Sequence, residues 1–130
     1  MLKTKEPKKR KKKSERTKAV EAADREMSLY IRAMDGRCVV CGKTENLTNG
    51  HLFSRGSHST RWDEDNCSCQ CKGCNMRHEH DFEPFRKHFE NKGVDIDALH
   101  AKYKQVKKYT TAEIWEIAEY YREKRRQYEL

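Results

Sequence analysis

Cys38-Val39-Val40-Cys41 and Cys71-Lys72-Gly73-Cys74 form two C-x-x-C pairs. Four thiolates at this spacing can give Zn²⁺ a closed tetrahedral shell, the arrangement of a structural site. Gly42 beside the first pair and Gly73 within the second suit tight turns that aim two sulfurs at one ion. A pair of redox dithiols is the alternative, but neither pair sits in a βαβ pattern of the thioredoxin kind. A zinc site of this type contributes on the order of 10 kcal/mol to folding. Cys67 and Cys69 alternate with Cys71, as along a strand. With the shell already complete, they are expected to be small buried residues rather than ligands.

Residues 42–70, between the pairs, number 29, which exceeds the roughly 15–20 of a simple zinc ribbon. The surplus includes Gly50-His51-Leu52-Phe53-Ser54-Arg55 and Ser59-Thr60-Arg61-Trp62-Asp63-Glu64-Asp65-Asn66, and Asn75 directly follows the second pair. A histidine after the first knuckle, an asparagine before the second, and Cys-x-x-Cys-Asn opening a helix resemble the HNH (ββα-metal) nuclease pattern. The zinc-stapled, treble-clef form is similar to the endonuclease VII-type junction resolvases. More narrowly, these blocks resemble the phage lambda NinG (Rap) recombination proteins over about residues 37 to 110. The resemblance implies an α+β fold: a small treble-clef ββα-metal centre flanked by helices. It also implies a DNA endonuclease acting in phage recombination on branched DNA such as Holliday junctions and D-loops. As the family's middle asparagine, Asn66 is then expected to hydrogen-bond the loop backbone and orient the histidine.

Phosphodiester hydrolysis needs a base for water, a cation at the scissile phosphate and positive groups to position DNA. His51 is the candidate base, since a neutral imidazole accepts a proton near pH 7. The expected products carry 5′-phosphate and 3′-hydroxyl ends. Asn75 offers a side-chain carbonyl to Mg²⁺ or Mn²⁺, and His78 and Glu79 share its helical face. One departure stands out. The endonuclease VII pattern has an acidic ligand immediately before the base, where this sequence has Gly50. Glu79, His78, or one of Asp63 and Asp65 can take over; water can fill the position; or the module binds DNA without cutting it. The last option is the alternative function, a non-catalytic zinc-stapled recombination accessory protein. A zinc-stabilised protein-interaction adaptor is a third reading.

The elements that must position these residues are legible in outline. Charged residues make up 38% of the 130, against 35% apolar, so a large core is not expected. Residues 1–18 hold ten Lys/Arg and two acids, so the whole net charge of +8 lies there. This segment reads as a disordered arm, with Lys8, Lys9, Arg10, Lys11, Lys12 and Lys13 placed to neutralise phosphates. Arg55 and Arg61 flank the central loop as further DNA contacts. Trp62 reads as a core residue, and Asp63, Glu64 and Asp65 as a turn. A helix spans about 19–36 and stops at Asp35-Gly36; the zinc-stapled core spans 37–81; a helical region spans 82–130. Within that region Pro84, Asp95 and the capping-box pattern Thr110-Thr111-Ala112-Glu113 open three helices. A homodimer through the first and last helices would suit paired cuts. The longest apolar run, Cys38 to Cys41, is four residues, so no membrane span is expected. With no secretory pattern either, six cysteines suit the reducing cytoplasm of a host cell.

Overall fold

The computed structural model of the protein describes residues 11–129. Helix α1 spans Glu15–Asp35, four residues earlier than the sequence pattern suggests. The reason is local: Ser14 accepts the Thr17 amide as an N-cap, and Glu15 favours the positive end of the helix dipole. Residues 15–18 therefore belong to the helix and not to the arm. Lys8, Lys9 and Arg10 lie outside the described residues, and Lys11–Ser14 form no helix or strand. Gly36, at φ +69°, closes α1 by returning its amide to the Arg32 carbonyl.

Strands β1 (Leu47–His51) and β2 (Cys67–Cys71) form an antiparallel pair in the register Leu47↔Cys71, Asn49↔Cys69 and His51↔Cys67. Between them lie a single turn of helix, α2 (His58–Arg61), and a 3₁₀ turn, Glu64–Asn66. Helix α3 (Lys72–His78) follows β2 directly and runs back along the hairpin. This β-β-α unit matches the expected ββα-metal arrangement. A two-stranded sheet is marginal alone, so both its faces are covered. Cys67 and Cys69 are buried in the core that includes Ala19, Ala23, Met27 and Ile31 of α1. On the other side, Leu52 packs with Phe85 and Phe89 of α4 (Glu83–Asn91) and Leu99 of α5 (Ile96–Tyr103).

Helix α6 (Thr111–Arg126) opens with the full reciprocal capping box of Thr110 and Glu113 and packs along α1. Ala19, Ala22 and Ala23 leave room for Ile114, Ala118 and Tyr121. Burying Ile31 and Ile114 completely contributes about 1.5–3 kcal/mol each. Glu26 is buried in this seam and is paired with Arg125 at 2.5 Å and Arg122 at 3.7 Å, as a charge so placed requires. These are the two helices expected to meet a second copy; here their apolar stripes are buried on each other. No helix among the described residues is long and apolar enough to cross a membrane.

Candidate active site and metal centre

Cys38 and Cys41 lie in the turn after α1, Cys71 ends β2 and Cys74 is in the first turn of α3. Their four sulfurs lie within 4.8 Å of one another, and Cys41 and Cys71 are 3.6 Å apart. Zn–S bonds of about 2.3 Å in a tetrahedron place sulfurs about 3.8 Å apart, so the pocket has the right size. The first turn uses Gly42 at φ +81°, whereas Gly73 has no positive φ and sits inside α3; the second turn is the helix N-terminus itself. Burial opposes ionisation of Cys38, but amide donors prevail and bring its thiol down to about 6. Cys74 is pushed up to about 12, first by burial and then by its neighbouring thiols. Four adjacent thiols cannot all ionise unaided, and a divalent cation removes that conflict. Cys67 and Cys69 stand outside the cluster, and burial pushes both thiols up, Cys69 to about 11. The centre has the ligands and the size of a structural zinc site.

His51 ends β1 and lines an open cleft of about 890 Å³. One wall is α3, with Asn75, His78 and Glu79; the other is α1, with Asp24, Arg25, Ser28 and Arg32. The residues expected around a catalytic ion are thus brought together with the candidate base. His51 Nε2 lies 2.9 Å from the Arg61 carbonyl. A carbonyl can only accept, so Nε2 carries the proton and Nδ1 keeps its lone pair. Burial lowers the pKa of His51, and the charges of Arg55 and Arg61 lower it further; the Arg61 carbonyl and Asp24 partly oppose this. The ring is therefore neutral at pH 7.

Asn66 is fully buried. Its Oδ1 accepts the Phe53 amide at 2.8 Å, and its Nδ2 donates to the carbonyls of Phe53 at 3.0 Å and Thr60 at 3.1 Å. One carboxamide thereby pins both sides of the loop that follows His51. His78 Nε2 donates to the Leu52 carbonyl at 2.9 Å, and its Nδ1 is buried with no partner among the described residues. Asn75 is half-buried and Glu79 exposed. Asp63 caps the 3₁₀ turn and pairs with Lys102 at 2.5 Å, on the Trp62 side of the molecule. Neither Asp63 nor Asp65 lines the cleft.

Two features were not anticipated. Arg61 is engaged by Asp24, Nε to Oδ1 at 3.0 Å and Nη2 to Oδ2 at 2.5 Å, and is not free to clamp phosphate. Of the other cleft arginines, Arg55 and Arg32 pair with no carboxylate among the described residues, and Arg25 meets Glu26 at 3.9 Å. Arg25, Ser28 and Arg32 recur at helical spacing beside the apolar stripe of α1, a signal present in the sequence but overshadowed by the basic arm. Gly50 has its own explanation. A Cβ there would lie 2.2 Å from Oε1 of Gln70, a side chain only 1% exposed.

A family model described as Bacteriophage Lambda NinG protein matches residues 2–129. The chain belongs to the NinG family. No curated protein and no solved structure matches it. NinG-family membership and the four-thiolate centre together support a metal-dependent, structure-selective endonuclease with a role in phage recombination.

Proposed function

We propose that this NinG-family protein hydrolyses one strand of branched DNA at the cleft, with His51 as the general base. The observation that carries this reading is the Nε2–Arg61 carbonyl bond, which leaves Nδ1 as a neutral acceptor in a cleft where Arg32 and Arg55 pair with no carboxylate among the described residues. His51 Nδ1 takes the proton of the attacking water. The ring becomes an imidazolium held between the Arg61 carbonyl and the nearby Asp24 charge. Asn66 keeps the loop, and with it the ring, in place. Arg25, Arg32 and Arg55 hold the backbone phosphates, and the basic arm adds contacts that carry no base preference.

The donor set fits a hard divalent cation, Mg²⁺ or Mn²⁺, held by Asn75 Oδ1 with His78 Nδ1 and Glu79 as further ligands. The unpartnered Nδ1 of His78 supports this, because its Nε2–H is given to a backbone carbonyl in the manner of metal-ligating histidines. A bound cation there would neutralise the scissile phosphate and the departing 3′-oxygen. The products are 5′-phosphate and 3′-hydroxyl ends. The protein acts in the cytoplasm of the infected host, where its six thiols stay reduced.

The test is cleavage of end-labelled four-way junction, three-strand branch and linear duplex by zinc-loaded protein in EDTA, Mg²⁺ or Mn²⁺. Divalent-dependent cuts near the branch, lost in His51→Ala, are expected. Salt-sensitive binding without cutting in either ion would instead favour the non-catalytic accessory reading, to which Gly50 lends support because it supplies no acidic ligand.

A further inference from the structure

Helix α1 reaches the His51 ring not only through the charge of Asp24 but through two bonded steps. The Asp24 carboxylate accepts Arg61 Nε at 3.0 Å, Arg61 Nη2 at 2.5 Å and the Trp62 indole N–H at 2.9 Å. These bonds fix the chain at residues 61–62, and the carbonyl of Arg61 is the one that accepts the His51 Nε2–H. Arg61 Nη1 also donates to the Arg55 carbonyl at 3.1 Å, so the same guanidinium ties down the exposed turn after His51. That carbonyl also accepts the Cys67 thiol at 3.7 Å, and Asn66 and Tyr121 hold the flanking carbonyls of Thr60 and Trp62, so the Asp24 carboxylate is the charged member of the set that fixes it. The carbonyl ends α2, a helix of four residues with no side-chain N-cap, and the neighbouring Ser54–Gly56 segment is exposed. The side chains of Arg61 and Asp24 are 16% and 27% exposed, sheltered enough for a bidentate, charge-assisted pair to hold its geometry. Asp24 is itself carried on a helix anchored along its length by α6.

We propose that Asp24 is a positioning residue for the catalytic base: through Arg61 and Trp62 it sets the carbonyl that fixes the tautomer and orientation of His51. This rests on the reading of His51 as the base. It explains why an arginine at the cleft is spent on a carboxylate when phosphate is the substrate. The charged groups near the ring are Asp24 on α1 and Arg55 and Arg61 on the loop; Asn75, His78 and Glu79 of α3 line the opposite wall of the cleft. Among these charges Asp24 is the carboxylate, placed to favour the imidazolium once the proton has been taken.

The experiment compares Asp24→Ala, Asp24→Asn and Arg61→Lys with wild type in the full zinc-loaded chain. It measures kcat and KM on a four-way junction, the ¹⁵N spectrum of the His51 ring, zinc content and the melting temperature. Asp24→Ala should lower kcat by about 30- to 100-fold with KM changed less than about threefold. The His51 ring should pass from the single Nε2–H tautomer to a mixture. Arg61→Lys keeps the charge but loses the fork, and should show the same signature. Combining the two should be no worse than the worse single variant. A kcat within about threefold of wild type, or an unchanged His51 spectrum, overturns the proposal. Should Asp24→Ala lose zinc or fail to fold, Asp24→Asn and Arg61→Lys decide by the same outcomes. If His51→Ala cuts like wild type, the base assignment falls, while the ring spectrum still decides whether Asp24 governs the ring.

Discussion

The two ends of the β1–β2 hairpin are built on opposite principles. At the Leu47↔Cys71 end, four sulfurs close on one point, and amides of the knuckles donate to Cys38 and Cys71. At the His51↔Cys67 end, the hairpin opens on a cleft where Nδ1 of His78 and Oδ1 of Asn49 are buried without partners among the described residues. Helix α3 joins the two, since it starts with a zinc ligand and ends with His78 bonded to the carbonyl of Leu52. A satisfied, closed shell makes a frame; an unsatisfied, open one retains capacity for a ligand. The small domain places its strongest interactions at one end, so that the other can stay incomplete.

The comparison breaks most visibly if zinc is removed. Cys71→Ser, or stripping with a strong chelator, should unfold the hairpin and α3 together, because a site of this kind carries on the order of 10 kcal/mol. Circular dichroism and bound-zinc analysis would show this as loss of the cooperative melt. A weak chelator that removes only Mg²⁺ or Mn²⁺ should abolish cutting and leave the melt unchanged. Equal sensitivity of both ends to mild chelation would mean that the cleft ion is also a structural one.

At the open end the largest effect should come from His51→Ala, with kcat reduced by about 10²–10⁴-fold and stability nearly unchanged. The wild-type rate should rise with pH as the ring loses its proton. The midpoint should fall below that of an ordinary histidine, since burial disfavours the charged ring. The same shift affects stability. The folded pKa is depressed, so the unfolded chain binds the extra proton first, and stability falls as pH drops below about 6.5. A rate midpoint above that of free histidine would show that a negative group, and not burial, dominates the ring.

Asn66→Ala should blur the contrast by weakening both frame and site. It strands the Phe53 amide and carbonyl, costing about 1–3 kcal/mol for each group left buried and unpaired, and leaves the Thr60 carbonyl to the Asp63 amide. Asn66→Asp should rescue little, since a carboxylate cannot donate to two carbonyls. Cleavage should fall along with the melting temperature. A variant that melts early but cuts normally when cold would separate the clamp from the chemistry.

How much of this was visible in the amino-acid pattern depended on the range of the interaction. The C-x-x-C spacing, the Thr110–Glu113 capping box, the Asp95 cap and the stop at Gly36 are local, and each appears in the structure. The His51, Asn66 and Asn75 motifs were legible because the β-β-α order places them. What escaped was long-range pairing. Asp24 and Arg61 are 37 positions apart and Glu26 and Arg125 are 99 apart, and nothing in either neighbourhood marks the partner. The apolar stripes of α1 and α6 were plain, but a stripe does not say whether it packs on its own chain or on a second copy.

Gly50 is the finest test of the contrast, because its absent side chain can be read as a missing ligand or as a packing requirement. Gly50 stands opposite Ser68, next to the Thr48↔Gln70 pair on the same face, and the Gln70 side chain lies over it. The conflict is with Oε1 at 2.2 Å, Cδ at 2.8 Å and Cγ at 3.0 Å, so a residue there must push a buried side chain aside. Overpacking of this kind costs about 1–3 kcal/mol. Gly50→Asp should therefore lower the melting temperature and fail to tighten Mn²⁺ binding, read by calorimetry on the His51→Ala background. Gly50→Asp with Gln70→Ala gives the carboxylate room, and should recover most of the lost stability. If Gly50→Asp alone tightens Mn²⁺ without destabilising the fold, position 50 is an unfilled ligand site and Gln70 yields easily. If the double variant is no more stable than Gly50→Asp, the cost lies in placing a charge beside Ser68 and not in the contact with Gln70.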